Sequence, residues 1–123
     1  MDDAEKHLLD IVAQKIYDKK GFNILALDVH AMPSLYDYVI IAEGTVERHV
    51  QALSREILNT LHELHYPVFY VDGGRNGDWV VIDCGFLVIH LFISELREKY
   101  ALEELWREGD IVDLKIILEE EGK

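Results

Sequence analysis

Asp83 and His90 stand on either side of a Cys84-Gly85 break between two strongly apolar runs, and a carboxylate beside an imidazole is the elementary unit of acid-base chemistry. The neighbouring sequence supplies neither a nucleophile nor an oxyanion-stabilising group to make such a pair catalytic. Two readings follow: an Asp83–His90 hydrogen bond that fixes a hairpin, or a polar pair on a binding face. Cys84 ends an apolar run without the context of a cysteine nucleophile, so it is expected as a small buried hydrophobe. His62 and His65 lack the spacing of H-E-x-x-H and any evident third ligand, so no metal site is expected there. Gly44-Thr45, opening a helix after a strand, has the form of a turn whose amides hold phosphate. Val46 to Ala52 contains no D-x-D or D-x-E pair to hold the divalent metal that a nucleoside triphosphate brings, which argues against nucleotidyl transfer and leaves Thr45 as a helix cap. No cofactor is implied.

Trp79 follows a polar glycine loop, Asp72 to Asp78, where a large aromatic is hard to cover completely. It is either an anchor for a partner or a core residue packed under that loop. Arg97, Tyr100 and Glu103 fall at i, i+3 and i+6 on one side of a helix, and form either a polar rim beside that anchor or a solvated helix face.

The elements that position these residues follow from hydropathic periodicity. Asp2 and Asp3 cap a first helix with Leu8, Leu9, Val12, Ala13, Ile16 and Tyr17 on one face, and Lys19-Lys20-Gly21 ends it. Ile24–Val29 reads as a strand, Met32-Pro33-Ser34 as a loop, and Asp37–Ala42 as a central strand covered on both sides. A second helix carries Val46, Val50, Leu53, Ile57, Leu61 and Leu64 as a buried stripe and stops at Tyr66-Pro67. Val68–Val71, Trp79–Asp83 and Phe86–Phe92 complete five strands. Ser94 caps a third helix bearing Leu96 and Tyr100, with Leu102, Leu105 and Trp106 closing it on the sheet. The order predicts one α/β domain over residues 1–106, a five-stranded mixed sheet flanked by helices. In the extension 107–123, alternating Val112, Leu114, Ile116 and Leu118 predict an extra edge strand, and Glu119 to Lys123 a frayed acidic tail.

Twelve basic against twenty-four acidic residues give a net charge of −12 in 123 residues, which disfavours RNA and anionic membranes as direct partners and favours a basic protein. The acidic start is unlike a secretory signal, no run approaches the ~18 apolar residues of a membrane span, and one cysteine forms no internal disulfide. A cytoplasmic chain is expected.

Two blocks carry a family resemblance. From Trp79 to Trp106 the ordered set Trp79, Asp83, Gly85, His90, Arg97, Tyr100, Leu102-Glu103 and Leu105-Trp106 matches a known signature, and Asp37 to Thr45 followed by Arg48-His49-Val50 matches a second. The chain thereby resembles the ribosome silencing factors, the Iojap family, from Leu8 to Trp106. It departs from their pattern at Val46, usually Ser, and Phe86, usually Asp. The resemblance implies a nucleotidyltransferase-like outline without that activity, a homodimer when free, and a translational repressor. Such factors bind the large ribosomal subunit through ribosomal protein number fourteen and sterically block joining of the small subunit. Trp79, Asp83, His90, Arg97, Tyr100 and Glu103 are then the expected partner-binding residues. A nucleotide-binding enzyme of the same outline is the alternative.

Overall fold

The strand Tyr38–Gly44, β2, is buried along its whole length, and the rest of the molecule is arranged around it. The structure, a computed structural model, describes residues 3–32, 35–73, 76–100, 104 and 108–118, with only the backbone of Tyr100. Glu103, Leu102, Leu105, Trp106, Asp2, Pro33, Ser34 and the tail from Glu119, all named above, lie outside those residues.

The elements run α1 (Asp3–Asp18), β1 (Phe22–Asp28), β2, α2 (Glu47–Glu63), β3 (Tyr70–Asp72), β4 (Trp79–Asp83), β5 (Leu87–Ile93), α3 (Ser94–Tyr100) and β6 (Asp110–Ile111). They build a six-stranded sheet in the order β3-β4-β5-β2-β1-β6. Among the described strands only β2 and β5 run parallel, joined through α2 and the β3–β4 hairpin, and the other neighbours are antiparallel. The predicted class, a mixed sheet in one α/β domain, is therefore present with one strand more.

Strand periodicity sorts side chains onto two faces. Tyr38, Ile40 and Ala42 of β2 and Leu87, Ile89 and Leu91 of β5 join Val80 and Ile82 under α1 and α2, which contribute Leu8, Leu9, Val12 and Ile16, and Val50, Leu53, Ile57 and Leu61. The opposite face is smaller: Val39, Ile41, Val88 and Phe92 are buried there, with Met32, Tyr36, Trp79, Val81 and Leu96 only partly covered. Among the described residues this is the less covered side, and it carries the candidate site.

Both long helices end on a left-handed residue that is not glycine. Lys20 (φ 69°) and His65 (φ 61°) take that conformation, while the amides of Gly21 and Tyr66 reach back to Ile16 and Leu61 at 2.8 and 2.9 Å. Gly21 is needed for another reason, since a Cβ there would collide with the Ile16 side chain. At the other end of α2 the expected cap is corrected. Val46 occupies the cap position with no side-chain bond, because the Thr45 amide and hydroxyl turn instead toward His49 Nδ1, at 3.0 and 3.3 Å. Val46 and Leu64, placed in the buried stripe by periodicity, are 53% and 40% exposed at the two ends of the helix.

The predicted edge strand over Val112, Leu114, Ile116 and Leu118 is also corrected. The ladder with β1 is Asp110–Ile111, extended by one bond from the Val112 amide to the Ala26 carbonyl. Beyond it the chain follows α1: the Lys115 amide donates to Asp10 Oδ1 at 2.9 Å, and the Ile117 amide to Gln14 Oε1 at 2.7 Å. Gln14 Nε2 returns a bond to the Ile117 carbonyl at 3.2 Å. Side chains four apart on a helix rise by about 6 Å, close to the roughly 6.6 Å of two extended residues, so the helix face imitates a strand. The alternation is real, with Val112 buried and Leu114 packed on the core, but its partner is a helix.

Candidate docking face

β4 presents Trp79, Val81 and Asp83 to the less covered side, and β5 presents Val88, His90 and Phe92 opposite them. The register pairs Trp79 with Phe92, Val81 with His90, and Asp83 with Val88. Asp83 and His90 share a face but are not cross-strand partners, so of the two readings the mutual hydrogen bond does not form and the polar pair on one face remains. Asp83 Oδ1 accepts the Gly85 amide at 2.8 Å and Oδ2 accepts the Tyr36 hydroxyl at 3.0 Å. Burial, and next that bond to a carboxylate, push the Tyr36 phenol up. Gly85 has φ 90°, where a side chain would be strained, and the turn it makes aims Asp83 back at its own amide.

His90 bonds to Trp79 instead. The indole Nε1–H donates to His90 Nδ1 at 3.2 Å, which puts the imidazole proton on Nε2, and the Trp79 ring leans on His90 and Phe92 with centroids 6.2 and 6.1 Å away. Trp79 is thus partly covered and braced by His90 and Phe92. Burial lowers the His90 pKa to about 4. The unfolded chain therefore takes up a proton below pH ~6.5 that the folded chain refuses until about 4. Stability present in full above that window should drain as pH falls through it, by up to about 3 kcal/mol. Urea midpoints at about pH 7.5 and about pH 4.5 should separate more for the parent than for His90→Gln, which keeps an acceptor for the indole; parallel losses would show that His90 does not titrate in this way.

Arg97 turns inward, away from the expected rim. Its guanidinium donates to Glu43 Oε2 at 2.8 Å and to the Asn23 carbonyl at 2.5 Å, and Asn23 Nδ2 donates to the same carboxylate at 3.0 Å. Both ionic side chains are covered, Arg97 to 13% and Glu43 to 6% exposure. Glu43 lies opposite Phe92, which lies opposite Trp79, so the ion pair sits two strands from the indole, roughly 10 Å away, and fastens α3 across β1 and β2. An open cleft of about 830 Å³ beside it is lined by Asn23, Glu43, Ser94, Arg97 and Glu98 among others. Of the remaining predicted site residues, Tyr100 ends α3 and Glu103 lies outside the described residues.

Two residues belong to the face that sequence reading did not single out. Val81 was available from the period of two between Trp79 and Asp83, whereas Tyr70, opposite Asp83 and 58% exposed, depends on a register no local pattern gives.

The other chemical candidates resolve locally. Cys84 is buried and its thiol is pushed up to about 12 by burial and then by the charge of Asp83, so it stays protonated. His62 and His65 are exposed at the end of α2, where their backbone groups close the helix. At the Gly44-Thr45 turn, His49 Nδ1 takes the amide a phosphate would need, and its Nε2–H donates to the Lys19 carbonyl at 2.7 Å, tying the start of α2 to the end of α1. Phe86 packs edge-on against Tyr38, at 6.3 Å, on the helix-covered side, and so stands away from the docking face.

Residues 2–123 match the family described as ribosomal silencing factor during starvation. The chain belongs to that family. The ribosomal silencing factor of Bacillus subtilis is 36% identical over 110 residues, 89% of this chain and 93% of that protein. A mouse protein named mitochondrial assembly of ribosomal large subunit protein 1 is 30% identical over 101 residues, which are 80% of this chain and 44% of that one. A crystal structure of a Chromobacterium violaceum protein has a TM-score of 0.78 at 29% identity, covering 95% of both chains. One from Bacillus halodurans has a TM-score of 0.78 at 32% identity, covering 89% of this chain and 99% of that one. The family match thus runs beyond the Leu8–Trp106 stretch in which the motifs lie.

Proposed function

We propose that this silencing factor docks on the large ribosomal subunit through the face of Trp79, Val81, Asp83 and His90, with Tyr100 and Glu103 as further contacts. Its target there is a basic ribosomal protein, number fourteen by family resemblance, and its bulk then blocks the small subunit and represses translation. The observation that carries this reading is Trp79: a large aromatic only partly covered, braced by His90 and Phe92, on the less covered side of the sheet. A braced aromatic loses little freedom on binding and makes an efficient anchor. The net charge of −12 suits a basic protein and repels the surrounding phosphates, so little direct RNA contact is expected. The mouse relative's name points toward the same subunit.

The same reading makes the chain a cytoplasmic homodimer when free, and not an enzyme. Against the nucleotide-binding alternative stand the imidazole that takes the Thr45 amide and the absence of a carboxylate pair after that turn in the sequence. Sedimentation of the tagged protein through sucrose gradients tests the proposal. It should travel with free large subunits and be missing from translating ribosomes; an even spread, or none with ribosomal particles, would reject it. Micromolar, magnesium-dependent ATP binding would revive the enzyme.

A further inference from the structure

The two edges of the sheet are finished differently. β6 leads into a segment held along α1, whereas β3 ends the sheet with no further strand on its outer side among the described residues. Leading into and along β3, Val68, Phe69, Tyr70 and Val71 are 36%, 68%, 58% and 42% exposed. Natural edge strands are usually guarded by lysine, an inward charge or a bulge, because their unpaired amides and carbonyls template another strand. Here Pro67 precedes the edge and Asp72 closes the three-residue β3, while the four residues between them carry no charge. The segment is also held in place: the Phe69 amide donates to the Asp83 carbonyl at 2.8 Å, and the Phe69 ring lies over Gly85. Tyr70 faces Asp83 across the ladder, so the edge is continuous with the face that carries Trp79.

We infer that β3 is a strand-addition edge, taking an extended basic segment of a protein partner as a seventh strand. The inference rests on the docking reading above and specifies how that face holds its partner. Charge selects the occupant. Between Tyr66 and Asp83 the sequence has Asp72, Asp78 and Asp83 against Arg75 alone. Bases could stack on Phe69 and Tyr70, but their phosphates would meet those aspartates in a chain of net charge −12. A second copy would bring the same aspartates with it. An added strand bearing lysine or arginine at alternate positions satisfies the backbone groups of β3, covers Phe69 and Val71 with the apolar side chains of one face, and sets the cations of its other face beside Tyr70 and Asp72.

Hydrogen–deuterium exchange of the full chain tests this, alone at two concentrations, with purified free large ribosomal subunits, and with deproteinised ribosomal RNA. Amides of Val68–Asp72 should slow on adding subunits and not on adding RNA. Phe69→Lys, at an exposed site, should weaken subunit binding by about tenfold or more by guarding the edge. Protection of Trp79–Asp83 without change in Val68–Asp72 would overturn strand addition and leave docking standing. Failure of the parent chain to bind subunits would overturn both. Protection of the edge by RNA, or by raising the concentration of the free protein, would overturn the inference in favour of those occupants.

Discussion

Trp79→Ala should lose large-subunit binding and melt markedly lower than the parent. The indole contributes in two ways that alanine removes together: its inner side packs on Phe92 and His90 and bonds to His90 Nδ1, and its outer side is the anchor proposed for the ribosomal protein. A half-buried tryptophan costs about 2–4 kcal/mol when cut to alanine, or roughly 10 °C of melting temperature in a domain of this size. Loss of an interface anchor adds about 2 kcal/mol or more to binding alone. The two effects are separated by Trp79→Phe, which keeps the packing and forfeits the indole bond, for a stability loss of about 1 kcal/mol. If that folded variant also binds at least about tenfold less tightly, the indole itself is recognised. Trp79→Ala, folded and binding like the parent, would remove Trp79 from the docking face.

The second large effect lies on the same side of the sheet, two strands from the indole. Arg97→Met leaves Glu43, at 6% side-chain exposure, as a buried carboxylate without its cation, and a loss of about 3–5 kcal/mol is expected in urea unfolding. Combining Arg97→Met with Glu43→Leu should cost less than the sum of the single changes, since no charge is then stranded. Arg97→Lys should recover only part of the loss, because one ammonium does not reproduce the guanidinium that bonds both Glu43 and the Asn23 carbonyl. Any Arg97 variant that remains folded should bind subunits nearly as the parent does. An Arg97→Met protein within about 0.5 kcal/mol of the parent would mean that the guanidinium is a solvated rim group after all.

These contrasts mark where the sequence is legible. β4 has the predicted bounds, Trp79–Asp83, and β2 is covered on both sides as its unbroken apolar run requires. The face of α2 follows from its stripe, apart from its two exposed ends. Such features are set by neighbours in sequence. Arg97 is different: the spacing shared with Tyr100 and Glu103 identifies one side of a helix but not what that side meets, and Glu43 is 54 residues away. Asp83 and His90 were reachable as strand residues, yet the turn through Gly85 sets a register that opposes Asp83 to Val88. His49 reads as an ordinary helix residue, while its role depends on a carbonyl 30 residues earlier. β6 has only two residues, too few for any period to show.

The segment along α1 also bears on the order in which this chain folds. The bonds that join Gln14 to Ile117 and Asp10 to Lys115 close loops of 103 and 105 residues, so the first helix acquires its final neighbours only after nearly the whole described chain exists. Contacts of such long sequence separation slow the search for the native state, because chain entropy must be given up before they form. Until then the outer side of α1 and the edge of β1 are open to solvent, and a nascent chain has to pass through that stage with its sheet unfinished at both margins.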